Sequence, residues 1–468
     1  MKLFSLRLTT LKSKLYAIVF ASFVVRVVAF FMLPNKESSF APDEGNYGGL
    51  TEWIAQSRPA DQYYFGGLYT ISRPLVVPAS LLNRLGLSGL DSVRIVSSLY
   101  GLLATVLAIH LLLKLSNSLP QVSKFVSENQ LKTVFLLVIF SFLPSNLAWS
   151  FVGLRDSAMN FWVLAVYVIV FCAFTLKEIS LKLASLGLLL TIPLVFLSRP
   201  QVGWVVCISL LTYLLIKVRV RVSQVLIPIT LMGIILGYIA TTPFSIGTAE
   251  TFVLTSPTGG SENDAATKNL CKYDGQEVIS QNAKFTCLKI VDKMSVVGLK
   301  NPAAALVDQT QSISERQEIN KIGAASAIRT LDCPITSDSK IKKYFCLAYR
   351  TPYTTYTFLF RPIIGADVTS SSSLFAAMEN TFWLGAFLFV IFMLIRNRRL
   401  AFFGALAPSL LFFSLYSVAA GASEGNMGTA FRHKSLILWV VLLLIASTIV
   451  ATQQRKAEQH RISSSSQE

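Results

Sequence analysis

Residues 158–176 read AMNFWVLAVYVIVFCAFTL, with Arg155-Asp156-Ser157 before them and Lys177 after. These 19 residues carry no charge and are apolar on every side rather than along one face. At 1.5 Å per residue a helix of this length reaches about 28 Å, close to the thickness of a bilayer's hydrocarbon core. Lipid offers the backbone no hydrogen-bond partner except itself, so the run predicts a membrane-spanning helix. Similar runs recur at Phe135 to Leu143, Val225 to Ala240 and Leu436 to Val450.

The rest of the 468-residue chain agrees, with 53% hydrophobic and 14% charged residues and a mean hydropathy of +0.56. That is too apolar for a soluble protein with an ordinary polar shell. The formal net charge of +17 would suggest nucleic acid in a soluble chain. Here the basic residues fall in short clusters between apolar runs: Lys2 to Lys14, Lys114 to Lys132, Lys177 and Lys182, Lys217 to Arg221, Arg396 to Arg399, and Arg455 to Arg461. Alternate loops carry them, which is the positive-inside pattern. No nucleic-acid-binding motif accompanies them.

Spans are expected at 15–34, 92–114, 132–151, 157–176, 183–198, 202–216, 224–243, 376–395, 400–420 and 435–453. The fold class is therefore an all-α polytopic membrane protein of about ten helices. The first run is followed by no small-residue cleavage site and is long enough to span, so it reads as an uncleaved helix. With the N-terminus inside, every basic cluster is cytoplasmic, and so is the C-terminus, placing the chain in the inner (plasma) membrane. The expected organisation is a membrane module with a first outer loop (1–243), an extracytoplasmic insertion (244–373), C-terminal membrane helices (374–453) and a disordered Ser-rich tail (454–468).

Two outer segments are long. The first contains an amphipathic stretch near Leu75 to Leu90, expected along the interface. The second has helix-like content around Ala303 to Ile328 and holds Cys271, Cys287, Cys333 and Cys346. Four Cys in one polar insertion suggest disulfides in an oxidising compartment, with the local pairs Cys271–Cys287 and Cys333–Cys346 favoured. Zinc is a competing reading without a Cys-x-x-Cys or a nearby His, and four reduced thiols are the bland one.

Several polar motifs collect at the expected outer side. Asp43-Glu44 lie just past the first span, where paired carboxylates suit proton abstraction, metal binding or pairing with Arg; a solvated loop start is the plain alternative. Arg155-Asp156 close the turn between the third and fourth spans, either as a fork for phosphate or simply as a hairpin closure. Arg199, in Ser198-Arg199-Pro200-Gln201, runs against the positive-inside bias, through a ligand or by snorkelling. Arg432-His433-Lys434 open the last span, where the helix dipole disfavours cations unless an anion is bound. Arg361 precedes the return to the membrane, with Glu379 as a candidate structural partner. His110, alone in an apolar span, is expected to pack. Ionisable residues are expected to be almost absent from span interiors, which favours an enzyme over a transporter, because a transporter places them along a path. No nucleotide-binding loop, dinucleotide fingerprint, zinc-protease motif or nucleophile elbow is present.

Asp43-Glu44, Tyr47 three residues on, and Val93-Arg94-Ile95-Val96-Ser97-Ser98-Leu99-Tyr100-Gly101 at the second span resemble the GT-C polytopic glycosyltransferases, particularly the bacterial relatives of protein O-mannosyl and aminoarabinose transferases. The resemblance covers about residues 15–216 and does not extend to the Cys-bearing insertion or supply the customary second-loop His. It implies a polyprenyl-phosphate-linked sugar donor, transfer outside the membrane to a lipid, glycan or protein acceptor, and a place in cell-envelope biogenesis. By that analogy Asp43 is the base and Glu44 its partner or a substrate-binding carboxylate. Tyr47, Arg155, Asp156, Arg199, Arg361, Arg432, His433 and Lys434 would then bind the donor. No soluble cofactor is required, although a divalent metal near Asp43 and Glu44 is compatible with the family. Rival readings are an O-antigen-type polysaccharide polymerase or ligase, and a flippase of lipid-linked glycans.

An impermeant thiol reagent, applied with and without reduction, is expected to label the four insertion cysteines from the outside and only after reduction. Labelling solely from the cytosolic side would overturn the topology.

Overall fold

The computed structural model describes residues 2–32, 42–59, 69, 72–118, 138–139, 141–217, 230–231, 233, 235, 251–255, 271–273, 276–278, 286–290, 340–365, 367–368, 371–397, 403–423, 428–443 and 445. Contacts divide the chain into two units. One comprises Met1–Thr242, Pro362–Tyr416 and Arg432–Glu468, and the other Pro243–Arg361 and Ser417–Phe431.

In the first unit the helices are α1 (Lys2–Met32), α2 (Pro42–Ala55), α3 (Arg73–Arg84), α4 (Gly89–Ser118), α5 (Pro144–Phe151), α6 (Asp156–Val170), α7 (Leu181–Ser198) and α8 (Pro200–Lys217). Among the described residues, Lys14–Met32, Gly89–Leu111, Asp156–Phe174, Leu181–Ser198 and Ser373–Phe392 are helical stretches long and apolar enough to cross a bilayer. Pro200–Leu215 and Leu406–Ala422 are shorter apolar helices. The chain is a helical membrane protein. The expected span at 224–243 and the tail 454–468 lie almost wholly outside the described residues, as does the helix-like content at 303–328.

The expected span at 132–151 does not run through to 151 as one helix. Leu143 is extended (φ −57°, ψ 135°) and Pro144 begins the separate short helix α5. Proline's missing N–H and its clash with the preceding turn disfavour a continuous helix there, and the chain breaks at Leu143. The expectation that span interiors hold almost no ionisable groups is also corrected. Arg26, Arg94 and Glu379 lie inside apolar spans at 2%, 2% and 5% exposure. His110 is exposed rather than packed.

The buried centre of this unit joins α2, α3 and α4 to the turn after α5. Tyr47, Leu50, Leu75, Val76, Ala79, Val93, Val96, Val152 and Leu154 form one apolar cluster. Helix α3 turns Leu75, Val76 and Ala79 inward and leaves Val77 and Leu81 exposed, so the expected amphipathic stretch is a real two-faced helix. Arg84 at its end donates from Nε to the carbonyl of Ala55 at 3.2 Å, placing a cation at the C-terminus of α2, where the helix dipole favours it. Helix α1 is held by Arg26, which donates from Nε to Ser150 Oγ at 3.0 Å and from Nη1 to Ser22 O at 3.1 Å. Only glycine fits opposite this contact. A Cβ at Gly101 on α4 would stand 2.3 Å from Ser150 Cβ and 3.3 Å from Arg26 Nε.

The second unit contains β1 (Thr251–Thr255), β2 (Cys271–Tyr273), β3 (Gln276–Val278), β4 (Thr286–Ile290) and α9 (Lys340–Phe360). Strands β1 and β4 pair antiparallel with Leu254 opposite Cys287, and β2 pairs antiparallel with β3 with Cys271 opposite Val278. Cys271 and Cys287 thus belong to different strand pairs, and Cys346 lies in α9. Cys333 and the side chains of the other three lie outside the described residues. Helices α10 (Ser371–Asn397), α11 (Phe403–Ser423) and α12 (428–443) follow.

Gly101→Ala is expected to lower stability in detergent by about 1–3 kcal/mol through overpacking. Gly385→Ala, where nothing lies within 4 Å of the added carbon, is expected to leave it unchanged. Equal melting temperatures for the two variants would refute the close approach at Gly101.

Candidate functional site

The site begins with the register of α12 against α6. Asp156 faces Arg432, Asn160 Nδ2 donates to Ser435 Oγ at 2.9 Å, and Tyr167 packs its ring 5.3 Å from Trp439. Successive partners advance along both helices in the same direction, so α6 and α12 run parallel. The contact is cemented by Phe412, which packs against both Tyr167 and Trp439.

At the N-terminal end of this pair, Arg432 joins two carboxylates. Its Nη1 donates to Asp43 Oδ2 at 3.1 Å, and its Nε lies 3.1 Å from Asp156 Oδ2. The two acids differ in access: the Asp43 side chain is 49% exposed and that of Asp156 1%. His433 Nε2 lies 3.7 Å from Asp156 Oδ1 and also contacts Arg199 Nη1. Arg155 completes the charges acting on Asp156. Three guanidiniums thus surround two carboxylates, leaving an excess positive charge.

Local sequence explains why these side chains meet. Pro42 starts α2 and puts Asp43 and Glu44 in its first turn, where carboxylates are favoured. Asp156 opens α6 in the same way. Arg199 is extended (φ −165°, ψ 106°) because Pro200 follows it, and it forms the joint between α7 and α8. Asp43 and Asp156 thus each lie in the first turn of a helix, where anions are favoured. Tyr47, one turn beyond Asp43, is 3% exposed. Burial pushes its phenol above the ordinary range, the charge on Arg155 working against the shift, so Tyr47 is a hydroxyl and not a phenolate.

Two expectations are corrected. Glu44 does not act beside Asp43, because adjacent residues of a helix do not share a face. It is wholly buried, pairs with Arg94 Nε at 2.6 Å and accepts from the Gly153 amide at 3.2 Å. Lys434 likewise points away from Arg432. It is 3% exposed, and its Nζ donates to Asn380 Oδ1 at 2.8 Å, toward α10. Asn380 in turn donates to Pro362 O at 3.2 Å. Glu379, the candidate partner of Arg361, accepts from the Ser145 amide at 2.9 Å, from the Ser145 hydroxyl and from Trp383 Nε1 at 3.1 Å. Arg361 closes α9 in the second unit, its amide donating to Thr357 O at 3.1 Å.

Asp43 and Glu44 do not face one common point. Their carboxylates serve different arginines, and no group of three or more His, Cys, Asp or Glu gathers among the described residues. Arg94 carries no role in the sequence reading beyond its place in a motif. The available signal was its position inside an apolar span, where an ionisable residue needs a partner.

Arg94→Met or Glu44→Gln alone is expected to destabilise the protein by about 3–5 kcal/mol, because each strands a buried charge or its partner. The double variant is expected to recover a large part of that loss. Thermal unfolding in detergent reads the cycle, and strictly additive losses would contradict the pairing.

Compared with protein-family models, with curated proteins and with solved structures, the chain matches none.

Proposed function

We propose that the chain is a GT-C-like membrane glycosyltransferase that moves a sugar from a polyprenyl-phosphate-linked donor to a lipid, glycan or protein acceptor at the outer face of the plasma membrane. The observation that carries this reading is the bridge from half-exposed Asp43 through Arg432 to buried Asp156, with Arg155 and Arg199 adding positive charge. One carboxylate is open to an incoming hydroxyl, and the other is enclosed and holds the cations in place.

In this mechanism the donor phosphate binds Arg432, Arg199 and Arg155 and competes with Asp43 for the Arg432 Nη1 donors. Asp43 is released to accept the proton of the acceptor hydroxyl. The acceptor oxygen then bonds to the anomeric carbon as the bond from that carbon to the phosphate oxygen breaks. The phosphate departs with the bonding electron pair, its charge met by guanidiniums already fixed in position. Tyr47, a neutral phenol one turn beyond Asp43, keeps the substrate-binding role that the resemblance implies. Glu44 acts through Arg94 to hold α2, and so Asp43, in register. Disulfides among Cys271, Cys287, Cys333 and Cys346 belong to the same reading, because they require the oxidising side of the membrane.

A flippase of lipid-linked glycans is the second reading. Its favouring observation is Arg26, a buried cation inside the first span whose Nη2 finds no hydrogen-bond partner among the described residues. The remaining nitrogens of Arg26 are bonded to Ser22 and Ser150, which fits an anchor between helices better than a moving path.

In proteoliposomes supplied with polyprenyl-phosphate sugar, Asp43→Asn is expected to lower transfer by about 10²–10⁴-fold at unchanged folding. Arg432→Lys, which keeps the charge but loses the planar fork, is expected to weaken donor use. Full activity of Asp43→Asn would remove the base. Movement of the intact lipid-linked glycan across the bilayer without transfer would favour the flippase.

A further inference from the structure

We propose that α9 is an interfacial helix whose tyrosine face binds an anionic bilayer surface. This rests on observations in the second unit and is independent of the glycosyl-transfer reading. One face of the helix packs into the protein: Arg350, Thr354, Thr357 and Phe358 are all buried. A different face presents Tyr349, Tyr353, Tyr356 and Phe360, spaced by four, three and four residues. At about 100° per residue these four fall within an arc of about 60°. Tyr349 is 75% and Tyr356 44% exposed, and the rings of Tyr356 and Phe360 pack 5.5 Å apart. An aromatic stripe of this kind has an apolar body and hydroxyl tips. That chemistry matches the headgroup layer of a bilayer better than bulk water.

The last turns of α11 pack closely on α9. Gly421, near the end of α11, belongs to the same unit as α9. A Cβ at Gly421 would stand 2.7 Å from Thr355 Cα and 2.8 Å from Thr355 N. The two backbones therefore touch at Gly421, within the second unit. Glycine is required there because any side chain would lift α9 away from α11.

Charge selects the kind of lipid. Helix α9 contains no acidic residue, its first turn carries Lys340, Lys342 and Lys343 in sequence, and Arg361 follows its last residue. Clustered lysines beside an amphipathic aromatic helix draw it to anionic headgroups. The occupant of the tyrosine face is therefore an anionic leaflet, held by rings in the headgroup layer and by lysines at one end of the helix.

The test is hydroxyl-radical footprinting of the full chain, read by peptide mass spectrometry, in nanodiscs of phosphatidylcholine alone and of phosphatidylcholine mixed with phosphatidylglycerol. Oxidation of Tyr349 and Tyr356 is expected to be about fivefold or more lower in the anionic discs. The triple variant Lys340→Gln, Lys342→Gln, Lys343→Gln is expected to lose that difference. Equal oxidation of the native chain in the two kinds of disc would overturn the proposal. So would protection that arises only on adding a soluble oligosaccharide, which would identify the stripe as a carbohydrate platform.

Discussion

A carboxylate with 1% exposure sets the terms for the membrane unit. Asp156 sits at the first residue of α6, beyond the reach of water, and its charge is tolerable only if cations are brought to it. Arg432 and His433 come from α12, Arg199 from the joint of α7 and α8, and Arg155 from the preceding residue. Compensation of one charge thus gathers helices separated by nearly 280 residues of sequence, as the numbering from Asp156 to Arg432 makes plain. The apolar seam of Tyr167, Phe412 and Trp439 then joins α6 and α12 further along, with α11 between them.

That compensation is more than neutral. Three guanidiniums stand around two carboxylates, and both carboxylates lie in the first turn of a helix. The exposed member of the acid pair, Asp43, is the one carboxylate of the cluster that a solute can approach. Its position depends on its neighbour in sequence. Glu44, locked to Arg94 and to the Gly153 amide, ties α2 to α4 and to the turn before α6. Adjacent acids have thereby acquired opposite tasks, one structural and one accessible, because a helix turns them about 100° apart.

The three consecutive basic residues in the second turn of α12 divide in the same way. Arg432 reaches the acids, His433 contacts Asp156 and Arg199, and Lys434 enters a buried polar network with Asn380 beside Glu379. A run that looks like a single basic patch in sequence is a three-way anchor in space. The buried polar groups of α10 and α5 belong to this anchor, with Ser145 serving Glu379 through both its amide and its hydroxyl.

The sequence alone determined that this is a helical membrane protein and where most of its apolar helices lie, because hydropathy and length are local properties that lipid reads directly. It also pointed to Asp43, Asp156, Arg199 and Arg432, since charges at the ends of spans are conspicuous against an apolar background. Tertiary structure alone decided which charge meets which. The burial of Glu44 and Lys434, and the partners of Arg26, Arg94 and Glu379, were not legible in advance. The reason is physical: a helix shows its apolar face in its own periodicity, but the partner of a buried charge is chosen through space, by whichever distant residue the packing brings within about 3 Å.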